Sequence, residues 1–202
     1  MGVEEAVSRL KSFSEELGLD LTKPEDRFKW FLASMLFAKR ISAEIAKRAY
    51  RRFEEAGLTT PDGILEAGWD RIVQVLDSGG YVRYDFSTAS NIIEAVKKLR
   101  DEYGGLEELH RISSSSEDLE RRLKEFKGIG SVAVSIFLRE LRGVWLKAKP
   151  SPSKIAIDTA RRIGLHDIER YESQLIRLNL EYCKKHRCCI CPAQSYCGER
   201  LL

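Results

Sequence analysis

Residues 123–138 read Leu-Lys-Glu-Phe-Lys-Gly-Ile-Gly-Ser-Val-Ala-Val-Ser-Ile-Phe-Leu, a pattern that predicts two helices joined by a short glycine-framed turn. Glycine permits positive φ angles and close approach of another backbone. The amides that begin the second helix, with the positive end of the helix dipole behind them, can then bind a DNA phosphate. An ordinary helix connection is the alternative, because Gly-Ile-Gly by itself has low specificity. The residues expected to contact DNA at this turn are Lys127, Gly128, Ile129, Gly130, Ser131 and Val132.

Apolar residues recur at spacings of three and four along the whole chain, and this periodicity predicts an all-α fold. The first helix is expected over residues 3–17, where Gly18 ends it, and Ser116 is expected to cap a helix over residues 117–125. No repeat of solenoid length is present, so compact helical bundles are expected. The segment 147–154 contains two prolines and is the expected crossing between two lobes.

The composition limits the class of protein. With 202 residues and 43% hydrophobic content, the chain can form a substantial core. A net charge of +3 does not indicate a nucleic-acid partner by itself, although basic pairs such as Arg121-Arg122 recur and fit either phosphate contacts or solvated helix faces. High charge with two asparagines and three glutamines favours a thermophilic source.

No part of the sequence predicts membrane insertion or export. The apolar stretches are shorter than the roughly 20 residues that cross a bilayer. Residues 1–5 lack the basic-then-apolar layout of a signal peptide. A cytoplasmic location, where thiols stay reduced, is therefore expected.

All five cysteines lie between Cys183 and Cys197. In a reducing compartment such a cluster indicates metal ligands or spare thiols before disulfides. The expected ligands are Cys183, Cys188, Cys191 and Cys197, with Cys189 spare, although Cys189 could replace Cys188 with little change in reach. Spacing alone does not decide between zinc and an iron–sulfur cluster, since both accept four thiolates.

Between the hairpin and the cysteines lies Ile-Ala-Ile-Asp-Thr-Ala-Arg-Arg-Ile-Gly, residues 155–164. Asp158 fits two roles, the N-cap of a helix from Thr159 or a carboxylate that takes part in catalysis. The hairpin, this aspartate and the cysteine tail, in that order and at about this spacing, resemble the helix-hairpin-helix superfamily of DNA glycosylases, and in particular endonuclease III. The resemblance spans essentially the whole chain.

The resemblance implies two helical lobes with the active site in the cleft between them. One lobe comprises residues 22–143, with the hairpin near residues 117–142, and the other comprises residues 1–21 plus 144–202. It also implies a 4Fe–4S cluster on the cysteine motif at residues 183–197, because the family ends in a four-cysteine motif whose last two gaps match those of this chain. The first gap is two residues shorter in this chain.

The resemblance also implies the substrate, double-stranded DNA with a damaged or mismatched base, and makes Asp158 the catalytic group of a base-excision repair enzyme. Bifunctional members carry a lysine nucleophile at the position of Val132, so this chain is predicted to be a monofunctional glycosylase that uses water. The alternatives are a non-catalytic iron–sulfur DNA-binding protein, or residual lyase activity at abasic sites through Lys127 or Lys154. A monomer associated with the nucleoid is expected.

One loop combines glycines with aromatic and basic side chains that suit contact with bases. Residues 78–86, Ser-Gly-Gly-Tyr-Val-Arg-Tyr-Asp-Phe, precede Ala-Ser-Asn-Ile at 89–92, which resembles the Ala-Glu-Asn-Ile segment of the family. In the family this loop pushes a side chain into the DNA stack, so Tyr81, Arg83 and Tyr84 are expected to contact DNA. The alternative is that the aromatic rings seal the underside of the loop.

Overall fold

The structure is a computed structural model that describes residues 2–198. Within these residues it is helical without β-strands, which confirms the all-α prediction. None of the described helices is both long enough and apolar enough to span a bilayer. The chain divides into two compact units, an internal unit of Leu19–Lys149 and a terminal unit formed by residues 2–18 and 150–198.

The α-helices of both units are numbered in chain order. They are α1 (Val3–Ser8), α2 (Phe13–Glu16), α3 (Pro24–Phe37), α4 (Ala43–Glu55), α5 (Pro61–Ser78), α6 (Asp85–Lys98), α7 (Leu106–Ile112), α8 (Ser116–Lys124), α9 (Ser131–Arg139), α10 (Lys154–Ile163) and α11 (Glu172–Leu178). Shorter helical turns lie at Leu99–Tyr103, Asn179–Cys183, Cys188–Ile190 and Gln194–Tyr196. Helices α3 to α9 belong to the internal unit, and the other four belong to the terminal unit.

The internal unit extends a few residues beyond the lobe of residues 22–143 inferred from the sequence. At its start, the Asp20 amide donates a hydrogen bond of 2.9 Å to the Asp26 carboxylate in the first turn of α3. At its end, the Trp145 ring stacks on His110 with 4.5 Å between ring centroids. Side-chain contacts therefore hold both extensions to the internal unit.

Two predicted helices differ from the observed ones, the first in its continuity and the second in its cap, and the reasons are local. The helix expected over residues 3–17 is interrupted because Ser12 begins a new one. Its side chain accepts the Glu15 amide at 3.2 Å and the Glu15 carboxylate accepts the Ser12 amide at 2.6 Å, which is a capping box. The N-cap of α8 is Ser115 and not Ser116, because the Ser115 hydroxyl accepts a hydrogen bond of 3.2 Å from the Asp118 amide.

Helix α3 forms much of the core of the internal unit and holds the hairpin in place. The buried ring of Phe31 packs edge-on against Phe126 at 5.9 Å and Phe137 at 5.4 Å, one on each side of the hairpin turn. Trp30 Nε1 donates a hydrogen bond of 3.2 Å to the Phe137 carbonyl. Burial of each large apolar side chain contributes about 1.5–3 kcal/mol to the free energy of folding. These contacts therefore stabilise the conformation of the hairpin.

Candidate functional sites

The predicted hairpin consists of α8, a turn and α9, and its two glycines differ in conformation. Gly128 has a φ of 77°, whereas Gly130, the N-cap of α9, has a φ of −97°. A Cβ on Gly128 would lie 2.5 Å from Asn91 Nδ2 on α6, but one on Gly130 would meet nothing within 4 Å. Gly128 is therefore required by the packing of the turn, and Gly130 leaves open space over the start of α9.

Helix α9 begins with two exposed residues, whereas the next two, Ala133 and Val134, are buried. No side chain within residues 2–198 caps it, and the first amides of any helix lack an acceptor inside that helix. Ser131 is exposed, Val132 is 61% exposed, and Lys127 beside them pairs with Glu94 of α6 at 2.5 Å. Ile129 is buried and its amide is used within the turn, so it is a packing residue and not the predicted DNA contact.

Gly128→Ala should lower the free energy of unfolding by about 1–3 kcal/mol, because a Cβ there combines a left-handed φ with a clash against Asn91. Chemical denaturation would measure this loss. Gly130→Thr is the matched control, since threonine and glycine are similar N-caps and the space is open. Equal destabilisation by both variants would contradict the distinction between the two glycines.

The loop before α6 places its predicted contact residues in different environments. Tyr81 is 1% exposed, and its hydroxyl donates a hydrogen bond of 2.9 Å to the Leu36 carbonyl. The predicted DNA contact by Tyr81 is therefore wrong, and this ring seals the underside of the loop instead. Arg83 is exposed and lies over the Tyr84 ring at 5.3 Å, so these two remain available. Val82, which the sequence reasoning missed, is 65% exposed.

Asp158 lies inside α10 and not at its start. The helix begins at Lys154 and is capped by Ser153, whose hydroxyl accepts an amide at 3.4 Å, so the interpretation of Asp158 as an N-cap is wrong. Its carboxylate accepts a hydrogen bond of 2.7 Å from Lys154 Nζ, one turn earlier, and lies 3.8 Å from Arg161 Nη1, one turn later. The aspartate thus sits among cations on one face of the helix.

These cations determine the charge state of the carboxylate. The hydrogen bond from Lys154 is the largest influence and lowers the pKa of Asp158 below its ordinary value. Desolvation opposes it, and the charges of Lys154, Arg161 and Arg162 lower the pKa further. Asp158 is therefore ionised at neutral pH. Because the Lys154 side chain is 87% exposed, its ion pair with Asp158 can exchange with other anions.

Four of the five cysteines lie together, half-buried, after α11. They are Cys183, Cys188, Cys191 and Cys197, while Cys189 is exposed, and none of the five forms a disulfide. Burial raises the pKa of the Cys191 thiol, and the neighbouring thiols of Cys183, Cys197 and Cys188 raise it further. The four predicted ligands are thus neighbours, and Cys189 differs from them in its exposure.

The loop of residues 183–197 offers the four half-buried thiols as possible metal ligands. Within residues 2–198 no three or more Cys, His, Asp or Glu side chains are placed so that they could hold a metal ion. An iron–sulfur cluster distributes four thiolates over several iron atoms, so its ligands lie farther apart than those of one ion. Four neighbouring half-buried thiols are the donor type that a cluster uses, so the residues present fit this group by their chemistry. The Gly198 amide ties the end of this loop to the Arg162 carbonyl of α10 at 2.9 Å.

No protein-family model matches the chain, and no curated protein matches it significantly. Within the internal unit, the structure joins the hairpin to α6 through Lys127 and Glu94. Within the terminal unit, it joins the helix of Asp158 to the cysteine loop through Gly198. The residues predicted from the sequence thus form one group in each unit: the hairpin with α6, and the helix of Asp158 with the cysteine loop.

Proposed function

We propose that the protein is a monofunctional DNA N-glycosylase of base-excision repair, which removes a damaged or mispaired base from double-stranded DNA. The observation that carries the proposal is the exposed, uncapped start of α9 behind the Gly128 turn. Its amides can donate to a DNA phosphate, and Lys127 beside them adds a cation. The same element grips DNA in the glycosylase superfamily that the sequence resembles.

Asp158 supplies the chemistry in this proposal. Water attacks the sugar carbon as the glycosidic bond breaks, Asp158 accepts a proton from that water, and the base leaves with the bonding electrons and is protonated by solvent. The carboxylate also stabilises the positive charge that develops on the sugar. The target base must first leave the stack, and the exposed side chain of Val82 suits the role of a wedge.

The positions of the amines support hydrolysis over lyase chemistry. Val132 is exposed in the first turn of α9, where bifunctional members of the superfamily that the sequence resembles carry a lysine. The two other candidates, Lys127 and Lys154, lie outside that turn and form surface ion pairs with Glu94 and Asp158. A Schiff base needs an amine, and Val132 has none, so water is the nucleophile that this position favours.

The four half-buried cysteines would hold the 4Fe–4S cluster in this proposal. Ligation by four thiolates would cross-link this loop in addition to its backbone hydrogen bonds. The hydrogen bond from Gly198 to the end of α10 would transmit that order to the helix that carries Asp158. The cluster would therefore have a structural role in this proposal.

DNA affinity should fall steeply with salt, because the hairpin and the exposed basic side chains contact phosphates. With about two phosphate contacts, a fourfold rise in salt lowers affinity roughly tenfold. Gly130→Thr should weaken binding to all duplexes alike, since its side chain fills the space over the α9 amides. Fluorescence anisotropy would measure both effects. If neither salt nor this variant changes the affinity, the hairpin is a structural turn only.

The substrate can be found with a panel of duplexes, each with one damaged or mismatched base. Incubation with the protein followed by hot alkali should cleave one or a few of them at the abasic site. The second candidate function is recognition of distorted DNA without catalysis, and the surface ion pairs of Asp158 with Lys154 and Arg161 favour it. Tight binding to duplexes of the panel with no cleavage of any would select that candidate.

A further inference from the structure

We propose that Trp69 and Phe86 form a stacking site for an unpaired nucleobase of a bound DNA strand. The site rests on the proposed DNA binding by the hairpin of the same unit. Trp69 is 40% exposed and Phe86 is 60% exposed, and their ring centroids lie 5.4 Å apart with the planes tilted by 38°. Large apolar side chains exposed next to each other, and not singly, mark an interaction surface.

The fold holds this pair in a defined orientation. Gly68, with a φ of 72°, interrupts α5 and lets Trp69 begin its second half. The indole Nε1 of Trp69 donates a hydrogen bond of 3.0 Å to the Ser90 hydroxyl, which itself donates to the Phe86 carbonyl at 3.0 Å. A ring anchored at its polar edge while much of its surface stays exposed is suited to stacking against a base.

The pair is continuous with the hairpin along one face of α6. Phe86, Ser90 and Glu94 are spaced by four residues and so share that face, and Glu94 pairs with Lys127 of the hairpin at 2.5 Å. Phe86 and Glu94 are separated by about 12 Å along the helix, which corresponds to roughly three to four stacked nucleotides. A strand whose phosphate is bound at the hairpin can therefore reach the aromatic pair.

The aromatic pair suits a base and not a phosphate. The exposed surface of Trp69 and Phe86 consists of uncharged rings on which the face of a base can stack, whereas a phosphate needs a cation or hydrogen-bond donors. The residues next to the pair in the sequence, Asp70 and Asp85, are acidic and supply no cation. The bases of an unpaired or distorted segment would thus face the aromatic pair while its backbone is held at the hairpin.

Tryptophan fluorescence tests this site directly, because Trp30 and Trp145 are buried and Trp69 is the exposed tryptophan of the described chain. The probes are a short duplex with one bulged thymine and its fully paired counterpart. The bulged duplex should quench the Trp69 emission. Trp69→Ala and Phe86→Ala should weaken binding of the bulged duplex about tenfold and leave the paired duplex unchanged.

Two further variants serve as controls. Trp69→Phe keeps an aromatic ring and should retain most of the affinity. Retention in this variant would show that the loss in Trp69→Ala comes from the missing ring and not from misfolding. Leu146→Ala alters another exposed apolar side chain of the same unit, which is 79% exposed, and should have no effect.

The outcomes separate this site from the proposed function. If both duplexes bind in a salt-dependent way but Trp69→Ala changes neither, the stacking site is overturned and DNA binding by the hairpin stands. If no duplex binds, both proposals fail. If the Trp69 emission shifts with protein concentration in the absence of DNA, and sedimentation shows a dimer, the pair is a self-association surface and the stacking site is wrong.

Discussion

Asp158→Asn should lower the rate of base excision by about 10²- to 10⁴-fold, while DNA affinity and the unfolding temperature stay at their wild-type values. Asparagine keeps the size of the side chain but removes the negative charge that accepts a proton from water and stabilises the sugar cation. Single-turnover excision on the duplex selected from the panel, with abasic sites revealed by alkali, would measure the effect.

Arg161→Gln is a matched control for this variant, because it removes the other charge of the ion pair but leaves the carboxylate and its hydrogen bond from Lys154 in place. It should retain excision within an order of magnitude. Borohydride should trap no covalent complex of the wild-type protein with its substrate, since position 132 has no amine. Full excision by Asp158→Asn would leave Asp158 with only its ion pairs, and efficient trapping would redirect attention to Lys127 or Lys154.

The pH dependence of excision should follow the charge of Asp158. The Lys154 hydrogen bond lowers the pKa of this carboxyl, so it stays ionised, and excision should persist, to a pH below the ordinary aspartate range. Lys154→Met removes the hydrogen bond and should move the acidic limb of the pH–rate profile to higher pH. An acidic limb at the same pH in both proteins would show that another group is titrating.

Cys191→Ser should abolish the iron–sulfur cluster and destabilise the terminal unit, whereas Cys189→Ser should leave the cluster in place. The wild-type protein purified without oxygen should be brown and contain iron and sulfide. Since metal binding to such small sites contributes folding free energy on the order of 10 kcal/mol, loss of the cluster should appear as a clear fall in thermal stability. Visible absorption, metal analysis and calorimetry would measure these properties.

The two cysteine variants form a matched pair, because they lie two residues apart and differ in exposure. Loss of the cluster in Cys189→Ser, with its retention in Cys188→Ser, would exchange the second ligand. Stoichiometric zinc without iron in the protein purified without oxygen would contradict the predicted cluster and show that the loop binds zinc instead.

Some features of this protein depend on interactions between residues close in sequence, and these were predictable. The all-α class followed from apolar spacing, and the hairpin followed from a glycine turn between two amphipathic segments. Errors occurred where several local signals compete. Within the run Ser113–Ser116 more than one serine can cap α8, and for α10 Ser153 caps one turn earlier than expected, which moved Asp158 into the helix.

Other features depend on contacts between residues far apart in sequence, and only the tertiary structure decided them. Tyr81 turns inward because its hydroxyl reaches Leu36, which leaves Val82 on the surface. Trp69 and Phe86 meet because Ser90 anchors the indole across the packed helices α5 and α6. A sequence pattern reports the type of each side chain, but exposure is set by what packs against it, and that is a property of the folded chain.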